Sequence, residues 1–240
     1  MNVLIYGHAR SGTTVLACVL GQSPQLNKVV YEPFRSHPVG IREHHENKND
    51  TNLFCQSVNK LWSEHDVIKS LTGEVPDHHL EIYFKSADKI LLTTRRNVLQ
   101  AAVSCSIAKQ TQVWQAMKAD KDYGEHVLKP LNLGHIEWLL KFYPNTTTYA
   151  KKILDRNGIE YHEVCYEDFF LSKDPIGEVK KLYDFLGIDM PKKLDRLKSL
   201  MVDNKLNTER VYLKIPNVYE IERRFGNNET GWLLNGGLQI

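Results

Sequence analysis

The residues with the clearest chemical potential stand in the run Gly7-His8-Ala9-Arg10-Ser11-Gly12-Thr13-Thr14. Two glycines, one permanent cation and paired hydroxyls at the head of a helical pattern suit an anionic group. Successive backbone N–H groups and a helix N-terminus would cradle it. The spacing is that of the phosphate loop G-x-x-x-x-G-K-[ST], with one departure. Thr13 occupies the lysine position that reaches the terminal phosphates of a nucleoside triphosphate, and the cation stands upstream at Arg10. Hydrolysis of ATP or GTP is therefore disfavoured. Ala9, Arg10, Ser11, Gly12, Thr13 and Thr14 are the candidate anion-binding residues, and a plain tight turn is the alternative.

A second chemical position is Glu32, ahead of Pro33. The proline steers Glu32 away from helical geometry, so its carboxylate is expected on extended backbone at a strand end, where ligands collect in open α/β sheets. A solvated glutamate paired with Arg35 is the other reading. His37 rivals Glu32 as a base, because an imidazole titrates near working pH. Lys69 is expected at the end of another strand, facing the same edge or solvent. The histidines at 37, 44 and 45 have no partners at structural-zinc spacing, and no metal site is expected.

Elements must position these groups. Asn2 to Tyr6 is an apolar run without alternation, the pattern of a strand buried on both faces of a parallel sheet. Val15, Leu16, Val19 and Leu20 then mark one helix face, closed by Gly21. Further strands are expected at 28–31, 66–70, 88–94 and about 159–164. Helices are expected at 51–64, 76–84, from Asn97 to about Ala119, 131–157, and from Asp174-Pro175 to Gly187. Their alternation predicts an α/β fold: a three-layer, mostly parallel β-sheet flanked by helices, P-loop nucleoside triphosphate hydrolase-like. One domain spanning 1–240 is expected, since no linker divides the chain.

The segment Arg10-Ser11-Gly12-Thr13-Thr14 resembles the 5′-phosphosulfate loop of sulfotransferases that use 3′-phosphoadenosine 5′-phosphosulfate (PAPS). That loop reads Pro-(Lys/Arg)-Ser-Gly-Thr-Thr, and Ala9 replaces its proline here. Arg95-Arg96-Asn97-Val98-Leu99-Gln100-Ala101-Ala102-Val103-Ser104 resembles the same family's 3′-phosphate motif, in which a strand-end arginine and a helical serine bind that phosphate. Glu32-Pro33 is similar to the carbohydrate-directed members, whose glutamate deprotonates the acceptor hydroxyl. Tyr166-Glu167-Asp168 resembles the segment whose tyrosine lies against adenine. The resemblance thus implies Arg10 and Glu32 as catalytic residues, and Arg96, Ser104 and Tyr166 with the loop as donor-binding residues. Lys69 could meet the sulfuryl group, Gln110 the acceptor, and Arg223 and Arg224 the 3′-phosphate, although their spacing differs from the family's. Trp114 reads more readily as core.

Composition narrows the alternatives. The 240 residues carry a formal net charge of +2, so no global field calls for nucleic acid or an acidic membrane. No apolar run approaches the ~20 residues of a spanning helix. Cys18, Cys55, Cys105 and Cys165 lack paired spacing and read as free thiols, and three glycosylation sequons read as coincidental without a secretory signal. A cytoplasmic enzyme is expected, moving a sulfuryl group from PAPS to a carbohydrate or other small alcohol without a metal. A P-loop small-molecule kinase and a catalytically silent PAPS-binding module are the competing functions.

Overall fold

A computed structural model describes residues 1–36, 40–114, 127–191, 194–202 and 209–234. Strand β1 (Val3–Gly7) leads into α1 (Thr13–Leu20), followed by β2 (Val29–Tyr31), α2 (Arg42–Asn47), α3 (Thr51–Glu64) and β3 (Val67–Leu71). A 3₁₀ turn (Asp77–His79) opens into α4 (Leu80–Lys85), then come β4 (Lys89–Thr94), α5 (Val98–Thr111), α6 (Leu133–Arg156) and β5 (Tyr161–Cys165). The remainder is helical: α7 (Tyr166–Phe170), α8 (Pro175–Leu186), α9 (Leu194–Val202), α10 (Glu209–Tyr212) and α11 (Val218–Phe225).

The chain forms two compact units, Met1–Thr94 with Thr146–Met201, and Arg95–Asn145 with Val202–Ile240. The first holds the sheet, in the order β2-β3-β1-β4-β5 with every pairing parallel. Strand alternation divides the apolar run of β1 between two cores. Val3 and Ile5 join Leu16, Val19 and Leu20 of α1 and Val179, Leu182 and Tyr183 of α8. Leu4 and Tyr6 join Phe54, Val58 and Leu61 of α3, Tyr83 and Phe84 of α4, and Ile153 and Leu154 of α6. Helices therefore cover both faces, which is the three-layer α/β class expected from the alternating pattern.

Local chemistry sets several boundaries. The Asp50 side chain accepts from Leu53 N–H at 2.9 Å and starts α3, and Asp174 does the same for Gly177 at 2.9 Å ahead of α8. Gly187 ends α8 in the left-handed region at φ 66°. In the second unit Asn97 caps α5, accepting from Gln100 N–H at 2.9 Å. That helix ends earlier than its lack of glycine and proline suggests: Thr111 is its last residue, because Gln112 turns left-handed at φ 60°. The expected continuation toward Ala119 runs into residues 115–126, outside the described residues.

Candidate active site

In the first unit the loop after β1 is shaped by bonds of its own. Ser11 N–H donates to the His8 carbonyl at 3.3 Å, and the Ser11 hydroxyl donates to the same oxygen at 2.7 Å. That hydroxyl also lies 2.7 Å from Thr93 Oγ1 of β4, and Ser11 is fully buried. The side chain of Ser11 is thus occupied in holding the loop. Arg10 at φ 70° and Gly12 at φ 90° lie in the left-handed region on either side of it. Such alternation turns successive amides toward one concave side. The first amides of α1, beginning at Thr13, have no carbonyl of their own helix to meet and remain available to an anion.

Neighbouring atoms exclude any side chain at two loop positions. A Cβ on Gly12 would stand 2.2 Å from the Phe170 ring of α7, and one on Gly7 only 2.0 Å from Thr93 Oγ1. Tyr166, the first residue of α7, lies 5.1 Å from Phe170 between ring centroids. The helix carrying the candidate adenine contact is therefore packed directly on the candidate anion loop.

The Glu32 expectation needs correcting in its backbone. Glu32 is left-handed at φ 51° instead of extended, its N–H bound to the Lys69 carbonyl at 2.6 Å. That bond to β3 and the Glu32–Arg35 turn, in which Arg35 N–H donates to the Glu32 carbonyl at 3.1 Å, override the ordinary preference before proline. Nor is the side chain a solvated loop carboxylate. Glu32 is 8% exposed and Lys69 2%, and the two form a buried ion pair, with Arg35 Nη1 on the other carboxylate oxygen at 2.5 Å. Burial pushes the Glu32 carboxyl up, but the charges and hydrogen bonds of Lys69 and Arg35 outweigh it and hold it below the ordinary range. Lys69 lies within β3, two residues before the strand's end at Leu71.

The sequence reading passed over Glu74. Its Oε2 accepts from Leu71 N–H at 2.9 Å, its backbone N–H returns to the Leu71 carbonyl at 3.2 Å, and the residue is 7% exposed. Burial and the neighbouring Glu32 charge push its carboxyl up to about 8. The available signal was an acid just past an apolar strand, in a glycine-containing turn at the ligand-collecting edge. Thr72 N–H donates to the Gly7 carbonyl at 3.0 Å, so the β3 turn leaves from beside the start of the anion loop. One unit thus brings together Arg10, the loop amides, Tyr166, Glu32 and Lys69, with Glu74 added.

The second unit holds the remaining candidates. Arg95 donates from Nη2 to Gln100 Oε1 at 3.0 Å, Arg96 follows it, and Ser104 is buried on α5. The segment from Asn227 to Trp232 folds onto the start of α5: Leu99 N–H donates to the Thr230 carbonyl at 2.8 Å, and Asn97 Nδ2 to the Trp232 carbonyl at 2.8 Å. Glu222, fully buried, accepts from Leu233 N–H at 2.9 Å and fixes that turn. Arg224 pairs with Glu137 at 3.3 Å. Gln110 exchanges two hydrogen bonds with the Lys129 backbone, at 3.1 and 3.0 Å, a structural occupation for a suggested acceptor contact. His37 lies outside the described residues. Among the described residues no cluster of three or more His, Cys, Asp or Glu could hold a metal, and no helix is long and apolar enough to cross a membrane.

A strand–loop–helix turn on a parallel sheet, with a buried carboxylate at the edge of the same sheet, frames the candidate site. The model of the sulfotransferase family matches residues 2–148, and the chain belongs to that family. A search of curated proteins found no match. Among solved structures, the sulfotransferase domain from the curacin biosynthetic pathway is 13% identical over 96% of this chain and 80% of its own, with a TM-score of 0.47. A mouse sulfotransferase complexed with PAP is 14% identical over 97% and 70%, with a TM-score of 0.47. The sulfotransferase domain of the Synechococcus PCC 7002 olefin synthase is 15% identical over 82% and 79%, with a TM-score of 0.42.

Proposed function

We propose that the protein transfers a sulfuryl group from PAPS to a hydroxyl of a carbohydrate or other small alcohol. The observation that carries this reading is the loop between β1 and α1. Left-handed Arg10 and Gly12 turn its amides to one side, and Thr13 stands where a nucleoside triphosphatase has its lysine, the cation lying three residues upstream at Arg10. These residues fit the 5′-phosphosulfate end of the donor. Thr13, Thr14 and the α1 amides would hold its oxygens, while Ala9 and Ser11 shape the turn. Tyr166 would lie on the adenine, and Arg96 and Ser104 would bind the 3′-phosphate.

The donor supplies an electrophilic sulfur and a phosphate leaving group, and the protein's part is positioning and charge compensation. Arg10, which stays protonated, would stabilise the charge growing on the bridging oxygen without giving up a proton. Glu32, ionised between Lys69 and Arg35, would accept the acceptor's proton as its oxygen bonds to sulfur. For that proton to arrive, Glu32 must exchange one of its two cationic partners for the acceptor hydroxyl.

The test is calorimetric titration with 3′-phosphoadenosine 5′-phosphate, in parallel with ATP and magnesium, on the wild type and Arg96→Ala. Metal-independent binding of the bisphosphate that weakens in the variant supports the reading. Binding of ATP with magnesium alone would replace it with the kinase. With bisphosphate binding in hand, labelled PAPS and a panel of mono- and disaccharides identify the acceptor, and transfer to none of a broad panel would favour the silent binding module.

A further inference from the structure

The corner where β2 and β3 end contains a second carboxyl that the mechanism has not used. Glu74 is hooked by one oxygen to the Leu71 N–H, two residues beyond Lys69, whose own carbonyl holds the backbone of Glu32. Its other oxygen, Oε1, is buried and has no hydrogen-bond partner among the described residues. A buried oxygen without a partner is costly as a bare carboxylate and far less so when it carries the proton. The groups that act on Glu74 come from every side of the corner. They are Glu32 and Arg35 after β2, Lys48 after α2, Lys69 of β3, Tyr6 of β1 and Tyr83 of α4. Asp77 shares the influence on Tyr6.

Resting on the proposed sulfuryl-transfer reading, we propose that Glu74 is a positioning residue of the acceptor end: a protonated carboxyl that forms a coupled pair with Glu32 and keeps Glu32 as the ionised member. The charge count gives the pairing its purpose. With the proton on Glu74, one carboxylate faces Lys69 and Arg35, and the corner retains surplus positive charge for an anionic sulfuryl group. With Glu74 ionised, a second carboxylate would remove one unit of that surplus among Lys69, Arg35 and Lys48, and the arriving group would meet a less positive corner. Two carboxyls driven in opposite directions by their surroundings divide the roles between them: Glu32 can take a proton, and Glu74, already protonated, cannot.

The experiment is a pH titration of side-chain carboxyl carbon resonances in glutamate-labelled protein, for the wild type, Glu74→Gln and Glu32→Gln. The expected result is one carboxyl titrating near 8, absent in Glu74→Gln, and displaced toward the ordinary carboxyl range in Glu32→Gln once the neighbouring charge is gone. The Glu32 resonance should titrate below the ordinary range in the wild type and stay there in Glu74→Gln, since the amide mimics the protonated acid. A Glu74 that titrates in the ordinary range, or one that ignores the loss of Glu32, overturns the pair. Should Glu32→Gln not fold, Arg35→Gln serves instead: loss of a cation must push the Glu74 midpoint higher, and an unmoved midpoint counts against the pair. Bisphosphate calorimetry on the same samples separates the two claims. An intact pair without donor binding removes the sulfotransferase reading, whereas donor binding without coupling removes only the role of Glu74.

Discussion

At the scale of single residues, the buried pair of Glu32 with Lys69 sets the strongest expectations. Removing one partner of such a pair leaves an uncompensated buried charge, which costs about 3–5 kcal/mol. Lys69→Met should therefore lower the melting temperature measurably. It should also raise the Glu32 midpoint, because Lys69 is the largest influence holding that carboxyl down. The sign follows: a base with a depressed midpoint stays ionised at mild acidity, so wild-type turnover should persist well below pH 6. In Lys69→Met the acid limb should move upward, and a pH–rate profile from released 3′-phosphoadenosine 5′-phosphate reads both. Arg10→Ala should reduce turnover by roughly 100-fold or more, in line with loss of one preorganised group at a site of developing charge. Arg10→Lys should recover part of it. An Arg10→Ala enzyme with wild-type turnover would remove Arg10 from the mechanism.

Among the elements, the loop between β1 and α1 is the one whose shape a single methyl can test. Gly12→Ala would place a carbon 2.2 Å from the Phe170 ring while forcing a side chain into left-handed backbone. The backbone part alone costs about 1–2 kcal/mol. The variant should unfold at lower temperature and lose anion binding, and Phe170→Ala in the same chain should restore stability only partly. The run from Met1 to Gly21 disclosed this element because its signals are local: an apolar strand, glycines at fixed spacing and a helical stripe. Helix α3 was equally legible at Thr51–Glu64 from the apolar face of Phe54, Val58 and Leu61. What escaped the sequence depends on groups far apart in the chain. Glu32 turns left-handed because β3 binds its backbone, and Glu74 acquires its chemistry from burial and from Glu32, forty-two positions away in sequence. The Arg10 loop could be found by spacing, and so could the Arg35 partner of Glu32 three residues on, but its Lys69 partner from another strand could not.

For the whole molecule, pH should act through buried and half-buried imidazoles. Burial depresses His44, His79, His135 and His162 below the ordinary 6.5, with the folded state favouring their neutral forms. The unfolded chain gains these protons first, so stability is present above pH 6.5 and declines as the pH falls below it. Urea unfolding at pH 7.5, 6.5 and 5.5 should show midpoints that descend at the acid end, and a flat series would contradict the burial of these rings. Glu74 works in the opposite direction. Its raised midpoint favours the protonated folded state, so its contribution is lost as pH rises from the ordinary carboxyl range through about 8, and Glu74→Gln should narrow the difference between pH 7 and pH 9. The sheet itself owes its alignment to the contact between Gly7 and Thr93. Because β1 is apolar on both faces, sliding it by one residue would still bury Val3, Leu4, Ile5 and Tyr6, and greasiness alone could not choose between the alignments. Gly7 stands opposite Thr93 in β4, where no side chain fits, and a slip would bring Tyr6 or His8 to that place. The residue that opens the anion loop is also the ruler against which the central strand is laid down. Damage at Gly7 should accordingly surface first as misassembled protein, before any question of affinity arises.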